Sequence, residues 1–324
     1  MSRQFINQLT ENETVDEVFL VSEKQLRTNR NGNLYLQMRL ADRSGSVTAM
    51  MWNANDRLYG SFDNGDFLHV HGATQFYNGS LQMIVNRIEP AIADKVDESD
   101  FVTLDVGEIE GLLSRASGFL RGLRNYHLRN LAQSLLSDQT LMDKFCAAPA
   151  GIKHHHAYRG GLLDHVVSLM ELVAVVAPRY PSLDADLLMM GAFLHDIGKV
   201  EELTYERDLG YSDAGQMLGH VVIATSMLDQ RIRETVKRTG EEFPEELRLQ
   251  LQHMIVSHHG TYEYGSPKLP MTLEALTLHL LDTLDSKLHA FAQIMREDPN
   301  AEAIWTTYQP AIGRKLYKST STNQ

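Results

Sequence analysis

Histidine and aspartate stand side by side at His195-Asp196, followed by Gly198 and Lys199, inside the apolar helical run Leu187 to Val200. Adjacent side chains on a helix point about 100° apart, so one turn presents a neutral imidazole and a carboxylate to the same small volume, a pairing suited to a divalent metal. The pair has company. His165 lies upstream in Gly161-Leu-Leu-Asp-His165; downstream come Gly219-His220, His258-His259 and Asp282 in Leu280-Leu-Asp-Thr-Leu-Asp285. Each sits in or beside a segment with helical apolar spacing: Leu162, Val166, Leu169 and Val173; Met217, Val221, Ala224 and Leu228; Leu251, Met254 and Ile255; Leu276, Leu280, Leu281 and Leu284. Five helices that each offer one or two ligands can converge on one pocket. Imidazoles and carboxylates without thiolates suit Mn, Fe, Mg or Zn, and softness alone does not choose among them.

The order His, His-Asp, His, His-His, Asp at these separations resembles the HD superfamily of metal-dependent phosphohydrolases. That resemblance implies that His165, His195, Asp196 and Asp282 hold one metal. It also implies that Asp196 bridges to a second, held by His220 and by His258, His259 or both. A carboxylate-bridged pair about 3.5–4 Å apart activates a water and neutralises charge on a phosphoryl oxygen; manganese is the ion expected first. Catalysis then turns on Asp196 and on Lys199, one turn beyond it, whose charge suits a phosphate contact as well as a solvated helix end. His155 and His156, in His154-His-His156 just ahead of the His165 helix, are further candidates for substrate phosphate, with capping or packing as equal alternatives.

The elements that must position these groups divide the chain. A length of 324 residues with 43% hydrophobic content suits about two packed domains. The N-terminus has neither a basic start nor an apolar stretch, and runs such as Leu172 to Ala177 are too short to span a bilayer. The chain therefore reads as soluble, unexported and cytoplasmic, with no membrane partner. Cys146 is the only cysteine, which excludes an internal disulfide and a thiolate cluster. A net charge of −12 argues against coating nucleic acid by broad electrostatics. Residues 1–92 are nearly balanced, with 8 Lys/Arg against 10 Asp/Glu, while the rest carries 22 against 32, as a site for two cations requires locally.

Before residue 92 the apolar period is two. Leu34, Leu36, Met38 and Leu40 alternate with Tyr35, Gln37 and Arg39; Val47, Ala49 and Met51 alternate with Thr48, Met50 and Trp52. Asn31-Gly32-Asn33, Asp42 to Gly45, Asn64-Gly65-Asp66 and Asn78-Gly79 mark turns. Five strands, with a short helix from Ala54 to Phe62 between the third and fourth, resemble the OB-fold of single-strand-binding modules. Such barrels stack bases on exposed aromatics beside cations. The candidates are Tyr35, Trp52, Phe76 and Tyr77, with Lys24, Arg27, Arg30, Arg39 and Arg87 for phosphate.

The expected architecture is multidomain: an all-β OB-fold barrel over residues 12–92, a polar linker over 93–107, an all-α HD domain over 108–312 and a frayed tail over 313–324. Helices are predicted over Glu108 to Leu123 and Leu128 to Phe145, and a short one over Glu302 to Tyr308. An OB-fold followed by an HD domain, entered through His155-His-Ala-Tyr-Arg-Gly-Gly-Leu-Leu-Asp-His165, resembles the YhaM family of bacterial 3′→5′ exoribonucleases over about residues 12 to 295. The resemblance implies a divalent-metal exonuclease that shortens single-stranded RNA from the 3′ end, with DNA as a further substrate to be tested. Two other readings compete. One is an HD phosphohydrolase acting on a small nucleotide or cyclic dinucleotide, although Gly265-Ser-Pro267 stands where an HD-GYP enzyme carries Gly-Tyr-Pro. The other is a non-catalytic nucleic-acid-binding protein. Exposed helical faces leave a homo-oligomer open.

Overall fold

The computed structural model describes the chain apart from residues 1–2, 78–79, 93–95, 98–99, 102–103, 153–157, 206–209, 297, 299–302 and 319–324. Two compact units emerge: Met1–Thr103 with Phe291–Gln324, and Leu104–Tyr205 with Leu209–Ala290. The stretch beyond 291, expected in the helical domain, thus groups with the barrel.

The first unit is built on β1 (Thr14–Thr28), β2 (Leu34–Asp42), β3 (Gly45–Trp52), β4 (Phe67–Tyr77) and β5 (Ser80–Pro90), with a one-turn helix α1 (Asp56–Tyr59) between β3 and β4. They close in the order β1-β2-β3-β5-β4, β3 running parallel to β5. Closure removes the unpaired edges that an open sheet would expose. The long β1 serves two neighbours, pairing Thr14–Leu20 with β4 and Leu20–Thr28 with β2. A bulge between Ser22 and Gln25, with Glu23 at φ 52°, bends it from one to the other. Alternation follows the pleat: Leu36, Met38 and Leu40 are buried in the barrel, and Tyr35, Gln37 and Arg39 face outward. Gly72 is required where β4 meets β5, since a Cβ there would stand 2.5 Å from the Ile84 carbonyl oxygen. The Asn78-Gly79 turn lies outside the described residues.

The second unit is helical: α2 (Val106–Arg121), α3 (Tyr126–Leu136), α4 (Gln139–Ala147), α5 (Gly161–Val176), α6 (Ala185–Leu194), α7 (Lys199–Glu202), α8 (Asp213–Thr239), α9 (Glu245–Ser257) and α10 (Leu273–Arg296), with a two-strand β6-β7 hairpin between α7 and α8. Its core gathers Leu120, Leu131, Phe145, Leu162, Met170, Phe193, Leu251 and Leu278 around α5 and α6. By length and composition Gly161–Arg179 would also suit a membrane, which the short apolar runs did not suggest. It serves instead as a core helix, with Leu162, Val166, Leu169 and Val173 buried.

Four expectations are corrected. The helix predicted over Leu128 to Phe145 is two helices, because Asp138 caps Leu141 N and pairs with Arg231. The helix predicted from Glu302 to Tyr308 is absent among the described residues; Trp305 bridges to Tyr317 and Gln309 to Arg314 instead. The tail is consequently paired as far as Lys318, whose Nζ lies 3.1 Å from Asp298 Oδ1. Finally, Met217 and the leucines Leu276, Leu280 and Leu284 are exposed rather than core. A kink at Gly219 (φ 72°, ψ 156°) shifts the helical phase after Met217, and α10 turns Ala275, Leu278, Leu281 and Asp285 inward.

Candidate metal centre

Every candidate ligand lies where a helix is buried, ends or kinks. Gly160, in the left-handed region at φ 86°, starts α5 and sets His165 on its buried face. Asp184 caps α6 through Leu187 N, and the helix stops at His195. Asp196 then occupies a tight turn, with Ile197 N donating to Leu194 O and Lys199 N to Asp196 O. The His-Asp pair is thus at a helix end and not inside the predicted run Leu187 to Val200. His220 follows the Gly219 kink. His258 caps the end of α9, and Gly260 (φ 79°) turns the chain so tightly over His279 that a Cβ would meet its ring at 2.1 Å. Asp282 sits on α10.

These residues converge as two clusters: His165, His195 and Asp282 form one, and His220, His258 and His259 the other, with the ligand atoms of each within 4.8 Å of one another. Asp196 lies between them. Its Oδ2 is 3.3 Å from His195 Nε2 and 3.8 Å from His165 Nε2, while its Oδ1 is 3.4 Å from His220 Nε2 and 3.7 Å from His258 Nε2. His165 Nε2 is 3.3 Å from both His195 Nε2 and Asp282 Oδ1. His258 and His259 both join the His220 cluster, their ring centroids 4.2 Å apart.

The outer nitrogens fix what the inner ones are. Nδ1 of His195 donates to Ala192 O at 2.8 Å, and Nδ1 of His258 to Ile255 O at 2.7 Å. Nδ1 of His165 lies 3.0 Å from Asp285 Oδ2, and Nδ1 of His220 3.1 Å from Glu202 Oε1. A neutral imidazole that donates from Nδ1 carries a lone pair on Nε2, so His220 Nε2 and Asp196 Oδ1 face each other as two acceptors. Both are buried with no hydrogen-bond partner, as is His259 Nδ1. Buried unpaired acceptors are costly, and a cation between them removes the cost. The residues present therefore fit divalent cations, with Asp196 standing between the two clusters. Cys146 does not compete, since burial pushes its thiol up to about 11.

Charges in the pocket are strongly coupled. Burial opposes ionisation of Asp196, but Lys199 and His195 outweigh it and hold the carboxyl well below its usual range. Burial likewise disfavours a charged His165, yet its bonds to Asp282 and Asp285 prevail and raise it to about 10. Burial and the positive field of His195 depress His258, so that ring is neutral and ready to ligate. Lys199 Nζ donates to Asp196 Oδ2 at 2.7 Å and to Ala150 O at 2.6 Å. Asp196 overcomes the burial that would discharge it.

His155 and His156 lie outside the described residues. On the barrel, Tyr35 and Trp52 are cross-strand partners with ring centroids 5.2 Å apart, Trp52 being 47% exposed. Arg27 pairs with Tyr35 across β1-β2, and Arg39 Nε donates to Ser46 Oγ at 2.8 Å. Arg27, Tyr35, Arg39 and Trp52 thus share one outer face, and Tyr77 is exposed at the end of β4. Lys24 is not on that surface. Its ammonium is buried over the Tyr59 and Phe62 rings and donates to both their carbonyls, because the bulge in β1 turns it onto α1. Sequence reasoning also passed over Asp285 and Glu202. Asp285 carried a signal, one turn after Asp282; Glu202 carried none.

A closed five-strand barrel and a helical unit with clustered His and Asp define an OB-fold nucleic-acid-binding domain joined to an HD domain. Family models agree: the HD domain matches residues 162–287 and the OB-fold nucleic acid binding domain residues 20–91. The 3′-5′ exoribonuclease YhaM of Shouchella clausii is 34% identical over 86% of this chain and 85% of its own length. That of Listeria monocytogenes serotype 4b is 32% identical over 90% of each. The chain belongs to the YhaM family of 3′-5′ exoribonucleases. Among solved structures, the second OB-fold domain of replication protein A from Methanococcus maripaludis aligns at 20% identity and TM-score 0.23, covering 29% of this chain and 98% of that one.

Proposed function

We propose that this chain is a divalent-metal-dependent 3′-5′ exoribonuclease acting on single-stranded RNA. The observation that carries the reading is the pair of facing, unpartnered acceptors at Asp196 and His220, flanked by two histidine clusters. His165, His195, Asp282 and Asp196 Oδ2 would hold one ion, and His220, His258, His259 and Asp196 Oδ1 the other. When bound, such ions supply an activated water and positive charge for the phosphodiester in the transition state. Asp196 keeps both clusters in register. Lys199 holds Asp196 Oδ2 by a charge-assisted hydrogen bond and keeps a positive charge beside the phosphate position. Manganese is the ion we propose; the donor set of imidazoles and carboxylates suits it as it suits Fe, Mg and Zn.

The outer barrel face supports strand binding: Tyr35 and Trp52 stack bases while Arg27 and Arg39 meet phosphates. Single-stranded DNA presents stackable bases and the same phosphodiester groups, and we propose it as a second substrate. The location we propose is the cytoplasm, in keeping with a chain that carries a single cysteine, Cys146. The test is hydrolysis of matched RNA, DNA and cyclic dinucleotide by metal-stripped protein with Mn²⁺, Mg²⁺, Fe²⁺ or Zn²⁺ restored. RNA shortening is expected. Cleavage of the dinucleotide with RNA left intact would move the assignment to a small-nucleotide phosphohydrolase, and RNA binding without any cleavage to a binding protein.

A further inference from the structure

Two buried carboxylates stand directly behind the proposed ligands, one for each cluster. Glu202 Oε1 accepts from the backbone N of His220 at 2.9 Å and lies 3.1 Å from its Nδ1. It thereby grips the residue that follows the Gly219 kink at both backbone and ring. Asp285 Oδ2 lies 3.0 Å from His165 Nδ1, and Ser168 Oγ steadies its other oxygen at 2.6 Å. His195 and His258 have only backbone carbonyls in that place. Each cluster therefore holds one carboxylate-backed histidine and one carbonyl-backed histidine. A carboxylate behind an imidazole fixes its tautomer and orientation and makes it a stronger donor, and losing it typically costs about 10–100-fold in metal affinity.

The clusters differ in front. The first contains the carboxylate of Asp282; the second has three imidazoles and only the shared oxygen of Asp196. A dication in the second cluster meets less negative charge and depends more on the charge behind it.

We infer that Glu202 and Asp285 are positioning residues, one for each ion of the bridged pair, and that the Glu202-backed cluster of His220, His258 and His259 holds the weaker, exchangeable ion. This rests on the two-cation reading of the site. Glu202 is suited to the test because its backbone is anchored apart from its side chain: its carbonyl accepts Ser212 N at 2.9 Å.

The experiment is a Mn²⁺ titration of the metal-stripped full chain by calorimetry and electron paramagnetic resonance, for wild type, Glu202→Gln, Glu202→Ala and Asp285→Asn. The wild type is expected to bind two ions of unequal affinity, with a spin-coupled signal as the second enters. Glu202→Ala should weaken only the second ion, about 10–100-fold, and delay the coupled signal to match. Asp285→Asn should weaken the tighter ion. In the metal-free protein, ¹⁵N spectra should find His220 protonated at Nδ1, moving toward Nε2 in Glu202→Ala. Glu202→Gln, which keeps an acceptor and loses the charge, should fall between and provides the same readout if the alanine variant fails to fold. Unchanged affinities in the Glu202 variants, or loss of the tighter ion instead, would overturn the inference and leave the metal centre standing. A wild-type chain that binds no Mn²⁺ would overturn the centre itself.

Discussion

Replacing Gly198 by alanine puts the packing of the metal centre under direct load. Gly198 has ordinary helical angles, φ −64° and ψ −19°, so its backbone accepts any residue. The added Cβ would stand 2.1 Å from His220 O, 2.8 Å from Ala224 N and 2.9 Å from His220 C, all backbone atoms of α8. Restoring an ordinary contact near 3.4 Å requires the Asp196–Lys199 turn and α8 to part by about 1.3 Å. Overpacking of this kind typically costs about 1–3 kcal/mol, and a clash with rigid backbone belongs at the upper end. At about 2–4 °C per kcal/mol for a unit of this size, metal-stripped Gly198→Ala should melt about 6–12 °C below wild type. The same displacement acts on the 3.4 Å approach of His220 Nε2 to Asp196 Oδ1, so Mn²⁺ affinity should fall too. Gly111→Ala is the control: it lies inside α2 with nothing within 4 Å of its Cβ, and should be stabilised by about 0.4–1 kcal/mol. Wild-type melting and wild-type Mn²⁺ binding in Gly198→Ala would show that α8 does not press on the Asp196–Lys199 turn through this contact.

Other expectations concern proton, stability and strand. A cation at His165 must displace the proton held there below about pH 10, so Mn²⁺ affinity should rise with pH, and calorimetry near neutral pH in two buffers should detect proton release; a buffer-independent enthalpy would contradict this. Without metal, the raised pKa of His165 stabilises the fold fully below 6.5 and loses that contribution as pH climbs through about 10. The lowered pKa of Asp285, opposed by burial but driven by His165 and Ser168, contributes above 3.8 and fades on acidification. Melting temperature against pH should therefore fall at both ends. Lys24→Ala should lower barrel stability by about 1–3 kcal/mol, because two part-buried carbonyls lose a charged donor, and leave RNA affinity unchanged. Trp52→Ala should do the reverse, weakening single-stranded RNA by about 1–3 kcal/mol per stacked base in a filter-binding assay.

The barrel was legible because alternation and turn residues are local signals. Tyr35, Gln37 and Arg39 outside and Leu36, Met38 and Leu40 inside follow from the pleat alone. The ligand residues were legible from type and order, since clustered His and Asp on apolar helices have few uses. Their placement was not. Gly219, Gly198 and Gly260 set where helices kink, meet and end: Gly219 is required by its positive φ of 72°, and Gly198 and Gly260 by atoms distant in sequence. Along α10 the leucines misled: the inward face carries Asp282 and Asp285 because it closes on the polar centre, which leaves Leu276, Leu280 and Leu284 outside. Lys24 misled because the bulge in β1 turns its ammonium onto α1, away from the outer face where a phosphate contact was expected.

In the proposed activity the Asp196-centred clusters hydrolyse RNA with the help of bound cations. The most direct measurement follows a 5′-labelled single-stranded RNA incubated with metal-stripped protein, with Mn²⁺ or Mg²⁺ restored, beside Asp196→Ala. A ladder shortening from the 3′ end is expected, needing metal and absent in the variant, which should still bind the RNA. RNA left intact with every metal, or a ladder undiminished in Asp196→Ala, would contradict that activity.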